Sequence, residues 1–210
     1  MKDILQKKYI ATPAMNKYLG NCIMIAYKIK SEIIEEPGYT ADEILILVKT
    51  IEKPSVVCSF QKNKFLKREH FGSCERIPLR LSSACLTSSL GDTACRCYTD
   101  SIKYLKEINN RGVGVFVYIP QEGFGRGLFA KIADHSLQNG IDINGKRIKS
   151  LSFKNSVKLL YPEEDYDIRK YGIIKDLFKA IGIDDFPYLY LGKCGDKITK
   201  IQNDSGLDII

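Results

Sequence analysis

The chain has 210 residues, room for one substantial core and so one domain or two small ones. Apolar residues make up 44% and charged residues 27%, a globular balance, and no run approaches the roughly 18 apolar residues of a membrane helix. The net charge of +7 asks for an anionic partner and leaves nucleotide, nucleic acid and membrane surface open. The N-terminus lacks the apolar segment and cleavage site of a secretory signal, so a reducing, cytoplasmic setting is expected.

The part up to about residue 98 reads as strand-rich. Cys22–Tyr27 and Glu43–Lys49 are short apolar runs with β-branched content, separated by turn signals such as Glu36-Pro37-Gly38. Ile77–Leu81 is a third strand, leading into a cysteine-bearing segment. From Thr99 onward helix and strand alternate. Asp100–Ile108 places Ile102, Leu105 and Ile108 at helical spacing, with Thr99 or Asp100 as N-cap. Gly112–Ile119 is a buried strand ending at Pro120. Leu128–Leu137 is an amphipathic helix whose apolar face carries Leu128, Phe129, Ile132, Ala133 and Leu137, stopped near Gly140. Asp167–Ile181 is another, striped by Ile168, Tyr171, Ile174, Leu177, Phe178 and Ile181. Tyr188–Leu191 is a last interior strand, and a short helix and residues 207–210 close the chain. There are no repeats. The pattern predicts an α/β (α+β) fold, a mixed sheet flanked by helices, as one domain over residues 1–210.

Cys85, Cys95 and Cys97 form a C-x9-C-x-C group. Three soft ligands without an evident fourth describe a catalytic zinc, which keeps one position open, better than a structural one. Small buried packing cysteines are the alternative. Cys95 and Cys97 face the same way only in extended chain, so a loop or strand end is expected there. Cys22, Cys58, Cys74 and Cys194 are scattered and read as buried small residues or inert surface thiols. Residues 121–127 run Gln-Glu-Gly-Phe-Gly-Arg-Gly between a strand and a helix. Backbone N–H groups at a helix start suit phosphate, although tight turns need glycine for backbone reasons alone. The acidic residues from Glu163 to Asp167 suit helix capping, and Asp167-x-Arg169 also suits a carboxylate orienting a phosphate-facing guanidinium. His70 and His135 are the only histidines, too few for histidine-based zinc or triad chemistry; His135 reads as structural or as an active-site group. The basic run Lys62–Arg68, with Phe65 and Leu66 inside it, fits a nucleic-acid patch or a solvated loop.

Taken in order, these segments resemble GTP cyclohydrolase II, the zinc enzyme that opens riboflavin biosynthesis. The resemblance runs from Ala11-Thr12-Pro13 through Arg80-x4-Cys85-Leu86-Thr87 and Cys95-x-Cys97. It continues with Gln121-Glu122-Gly123, Gly127-Leu128, Lys131-Ile132 and Asp167-x-Arg169-x-Tyr171-Gly172-Ile173. It implies one zinc per subunit on Cys85, Cys95 and Cys97 with water in the open position. It implies Asp167 as proton acceptor, and Arg169 as the group that attacks the α-phosphate or, more simply, stabilises its charge. The implied reaction hydrolyses the imidazole ring of GTP at C8, releasing formate and pyrophosphate, with magnesium on the phosphates and a homodimer as the assembly. Nucleotide contacts are implied at Arg80, Asp100, Gln121, Glu122, Gly123, Arg126 and Lys197.

Several positions depart from the family pattern. Ser82-Ser83-Ala84 replaces His-Ser-Glu, Phe124 replaces an arginine, Asp100 a glutamine and His135 a tyrosine. Residues 191–197 replace a Thr-Asn-Asn-Pro-Lys-Lys segment, with Lys197 as the remaining match. The segment between Gly140 and Asp167 is longer, and Cys85 and Cys95 are one residue closer. These changes put the metal half of the site within the pattern and the substrate half outside it. Buried polar groups dominate discrimination, so another purine or pyrimidine nucleotide is the alternative substrate, and a non-catalytic zinc-stabilised binding module the third reading.

Overall fold

Alternation of side chains along a strand gives each strand two faces, and here both are covered. In the computed structural model, strand β2 (Gly20–Ile29) sends Ile23, Ile25, Tyr27 and Ile29 to one core and Cys22 and Met24 to another. The described residues are 5–30, 38–57, 65–92, 95–192 and 195–210, with the backbone alone over 5–13. Cys58, Cys194, the Lys62–Lys64 part of the basic run, the Glu36-Pro37 turn and the side chains of Ala11, Thr12 and Pro13 lie outside them.

The strands are β1 (Leu5–Asn16), β2, β3 (Glu43–Lys49), β4 (Ile77–Ser83), β5 (Gly114–Ile119) and β6 (Tyr188–Tyr190). They form one six-stranded mixed sheet in the order β1-β2-β3-β5-β4-β6. Neighbours from β1 to β5 run antiparallel, whereas β4 runs parallel to β5 and to β6. The expected α/β class with a mixed sheet holds. Strand β1 is an edge strand absent from the sequence-based expectation. It contains Pro13 at a register shift between Ala11 and Ala14, the kind of place where a strand tolerates proline.

The helices are α1 (Pro54–Val57), α2 (Leu86–Ser89), α3 (Cys97–Arg111), α4 (Gly127–Gln138), α5 (Phe153–Leu160), α6 (Ile173–Ile181) and α7 (Gly195–Ser205). The larger core lies under α6, which buries Ile173, Ile174, Leu177, Phe178 and Ile181 against Leu79, Leu81, Val115 and Val117. Each such side chain contributes about 2 kcal/mol of burial. The opposite face packs Tyr104, Leu105 and Ile108 of α3 on Leu47, Phe116 and Cys22. Close approach is possible because β5 begins at Gly114, where a Cβ would meet Ile108 Cγ2 at 2.8 Å and the Pro78 carbonyl at 2.9 Å. None of the described helices is long and apolar enough to cross a membrane.

Three helices differ from expectation. Helix α3 starts at Cys97 rather than near Asp100, because the Ser88 hydroxyl accepts the Tyr98 N–H (2.9 Å) and so satisfies a first-turn donor. Residues 167–172 are not helical: the Tyr171 N–H donates to Asp204, and the Lys170 carbonyl accepts from Tyr39 and Gln121, so tertiary partners replace the helical ladder. Helix α4 forms as expected but turned around: Ala130, Asp134 and Leu137 are buried, and Leu128, Phe129 and Ile132 face outward. Lys131, Asp134, His135 and Gln138 lie on the side that faces the cavity described next.

Candidate active site

Parallel strands β4 and β5 end together, with Ser83 opposite Ile119, and the Ala84 N–H extends the pairing to the Ile119 carbonyl. The segments that follow, Ala84-Cys85 and Pro120-Gln121-Glu122, therefore emerge side by side at the carboxyl ends of the strands, where open α/β sheets bind ligands. A cavity of about 370 Å³ opens there. Its lining comes from both segments, from the start of α3, from α4 and α5, and from Arg169.

One wall is sulfur. Cys85 Sγ and Cys97 Sγ each lie 3.3 Å from Cys95 Sγ, and the three thiols fall within 4.8 Å of one another. Ser88 draws the segment together: its hydroxyl donates to the Cys95 carbonyl (2.9 Å) while accepting the Tyr98 N–H. Cys95 is in the expected loop, but Cys97 is the first residue of α3, at the positive end of a helix. Cys85 is buried, Cys95 half-buried and Cys97 exposed. Hydrogen bonding with Cys97 pulls the Cys95 thiol down to about 5, aided by Cys85 and the charge on Lys131. The same bond, with burial, pushes Cys97 up.

These thiols fit zinc. A tetrahedral ion with Zn–S of about 2.3 Å separates its sulfurs by about 3.8 Å, close to the spacing present here. The cluster offers three protein ligands, which leaves one position for water. Cys22 does not join it and packs as a small hydrophobe beside Leu47, its thiol pushed up by burial; Cys74 hydrogen-bonds the Phe71 carbonyl.

A buried ion pair supports the sulfur wall. Lys131 Nζ lies 2.6 Å from Cys85 Sγ and 3.1 Å from Glu122 Oε1. Burial alone would lower the ammonium, and its contacts with Cys85 and Glu122 more than reverse this. Glu122 also accepts the N–H groups of Leu86 and Gly123, tying the two strand-end segments together.

The other wall is aromatic and cationic. Arg169 pairs with both oxygens of Asp167, donates to Ser83 Oγ (3.2 Å) and lies 4.5 Å over the Phe124 ring. Burial would lower its guanidinium, and Asp167 holds it well above its ordinary value. Phe124 stacks with Phe153 and Tyr166 from a left-handed backbone conformation (φ 60°), the only such non-glycine among the described residues. Arg126 points into Glu164 (2.9 Å) and the carbonyls of Asp165 and Tyr166, over the Tyr161 ring.

A family profile described as GTP cyclohydrolase II matches residues 10–203. The chain belongs to the GTP cyclohydrolase II family. It is 31% identical over 134 residues to the GTP cyclohydrolase-2 of Picrophilus torridus, covering 59% of this chain and 64% of that protein. It is 28% identical over 167 residues to the riboflavin biosynthesis protein RibBA of Parabacteroides distasonis, covering 76% of this chain and 37% of the relative. With RibBA of Thermotoga maritima the identity is 30% over 136 residues, 61% of this chain and 31% of the relative. The matches thus span less than two thirds of these relatives' own lengths.

For this family member, the cavity brings together Cys85, Cys95, Cys97, Gln121, Glu122, Gly123, Arg126 and Arg169, and Asp167 stands behind Arg169. Arg80, Asp100 and Lys197 do not line it. Arg80 stacks on Tyr104 (4.3 Å) and donates to the Leu191 carbonyl. Asp100 lies 3.8 Å from Arg96 on the first turn of α3. Lys197 donates to the Leu81 carbonyl (2.9 Å) and shares the Tyr171 ring with Arg169. The glycine turn is also not a simple helix-end cradle, since the Gly123 N–H is taken by the Glu122 carboxylate.

Helix α5, which with its C-cap Tyr161 puts Phe153 and Val157 on the cavity, has no counterpart in the sequence-based expectation; Ser152, which accepts the Asn155 N–H, is the N-cap signal that marks it. Lys131 is visible in the sequence as a charge amid apolar positions of α4, but its partner Cys85 is 46 residues away.

Proposed function

We propose that this protein hydrolyses the imidazole ring of GTP with release of formate and pyrophosphate, leaving a diaminopyrimidinone ribosyl phosphate. The observation that carries the reading is that the three-thiol cluster and Arg169, paired with Asp167, line one cavity in a member of this family. Cys85, Cys95 and Cys97 would hold zinc, which when bound supplies Lewis acidity and acidifies water.

Lys131 balances charge on Cys85 and so tunes how strongly that sulfur donates, while Glu122 fixes Lys131. Arg169 is held cationic by Asp167, which supports charge stabilisation at the phosphate rather than attack by its guanidinium. Asp167 has both oxygens on Arg169 and so orients the guanidinium, beside the proton-acceptor role that the resemblance implies for it. Gln121, Glu122 and Gly123 would meet the nucleotide directly, with magnesium on its phosphates, and Arg80, Asp100 and Lys197 would flank the site. The proposal treats the chain as one cytoplasmic domain built around the six-stranded sheet. It takes a homodimer as the assembly, supported by the outward Leu128, Phe129 and Ile132 on α4, where Phe129 is 89% exposed.

A second reading keeps the zinc chemistry and changes the nucleotide. It is favoured by Phe124 on the cavity wall and by Arg126, whose charge is spent on Glu164. The test is incubation of the zinc-loaded protein with magnesium and GTP, then with a panel of purine and pyrimidine nucleotides, following formate, pyrophosphate and product mass. Formate from GTP establishes the first reading. Turnover of another nucleotide without GTP turnover replaces it with the second.

A further inference from the structure

Among the residues that line the cavity is His135, whose neighbour Asp92 stands outside the lining. His135 on α4 presents Nδ1 at 3.5 Å from Asp92 Oδ2, and Asp92 lies in the segment between Cys85 and Cys95. The two side chains are 25% and 24% exposed, so they are neither sealed in the core nor on open surface. An imidazole whose Nδ1 faces a carboxylate carries its neutral-state proton there, which leaves the Nε2 lone pair for chemistry. His70 has the opposite arrangement. Its Nδ1 accepts the Lys67 N–H at 3.0 Å, which places its proton on Nε2, and it does not line the cavity.

Four other titratable groups on the cavity, Glu122, Arg169, Lys131 and Asp134, are committed elsewhere. Both oxygens of Glu122 are engaged by Lys131, Gly123 and Leu86. Arg169 and Lys131 are held protonated by their partners. Asp134 is bonded to Gln138 through Oδ2, and its Oδ1 is sealed from solvent. Ring hydrolysis needs a group that both accepts and returns a proton, a task for which imidazole is intrinsically suited near neutral pH.

We propose that His135 is the proton carrier of this site and that Asp92 is its positioning residue. The proposal rests on the cyclohydrolase reading. In the ring-opening step a water O–H proton passes to His135 Nε2 as the oxygen bonds to the ring carbon between the two imidazole nitrogens. His135 then delivers that proton to the ring nitrogen whose bond to this carbon breaks. One C–O bond forms, one C–N bond breaks, the second water proton ends on the other ring nitrogen as the carbonyl of the formamide forms, no electrons are gained or lost, and His135 returns to its starting state.

The test uses the zinc-loaded enzyme with GTP and magnesium. His135→Ala and His135→Gln are expected to lower kcat for formate release by about 10²-fold or more with zinc content unchanged, and added imidazole to restore turnover in His135→Ala. Asp92→Asn is expected to lower kcat about tenfold with little change in KM. A loss below about threefold in both His135 variants, or a loss that imidazole does not repair in a zinc-replete, folded variant, overturns the proposal. A readout free of turnover is ¹⁵N NMR of the two neutral histidines. One Nδ1–H and one Nε2–H tautomer are expected, with the Nδ1–H form lost in Asp92→Asn; two Nε2–H tautomers in the unsubstituted protein overturn it. Absence of formate from every nucleotide with the unsubstituted enzyme sinks the cyclohydrolase reading instead, and the tautomer then reports the pairing by itself.

Discussion

The two walls of the cavity are built on opposite electrostatic plans. On the sulfur wall, Lys131 reaches Cys85 and Cys95, and the thiol protons compete: Cys95 is pulled down while Cys97 is pushed up. A divalent cation resolves that competition by stabilising thiolates on all three. On the arginine wall every cation already has its anion: Arg169 has Asp167, and Arg126 has Glu164. The first wall is left short of positive charge, and the second is internally neutral. A phosphate approaching the second must displace a carboxylate or rely on the field of a cation whose partner stays in place. On the proposed function, the sulfur wall would account for metal affinity and the arginine wall for selectivity.

The largest effect tests the sulfur wall. Cys95→Ser removes the middle ligand, and zinc content and formate release are both expected to fall to background, read by elemental analysis and a formate assay. Retention of zinc at one ion per chain would break the comparison at its root. Next, Arg169→Lys keeps the charge but not the two-pronged pairing with Asp167; kcat is expected to fall about 10²-fold while zinc content stays unchanged.

Lys131→Met leaves the buried Glu122 carboxylate without its ammonium, although Leu86 and Gly123 still donate to it. A stability loss of about 3 kcal/mol in urea unfolding of the zinc-free protein is expected, at the low end for a broken buried pair. The smallest effect concerns Asp134. Burial raises its carboxyl above the ordinary 3.8, opposed by contacts with Ser156, His135 and Gln138. A raised folded-state value contributes stability below the unfolded value and loses it as pH rises through the folded value. Asp134→Asn should therefore raise Tm at about pH 7 and leave it nearly unchanged at about pH 3. An equal shift at both pH values would assign the change to packing.

Much of this fold is written in local pattern. Strand β3 has the expected bounds, and the Ile174-Leu177-Phe178-Ile181 stripe falls on α6 as periodicity predicts. The cysteine group comes together as its spacing suggested. Long-range partners explain the failures. Residues 167–172 carry a helical apolar stripe, yet Asp204, Tyr39 and Gln121 capture their backbone groups. The apolar stripe of α4 looks like a core face, yet Lys131 and Asp134 turn inward because Cys85, Glu122 and Gln138 offer partners there.

From residue identity and order alone come the α/β class, the family and the set of three thiols, because periodicity and ligand chemistry are local properties. The direction in which each side chain acts comes only from tertiary contact. Arg126 spends its charge on Glu164, Lys131 finds Cys85, and His135 meets Asp92 across separations of up to 46 residues. Those pairings are decided by which strand ends lie side by side, and that is a property of the assembled sheet.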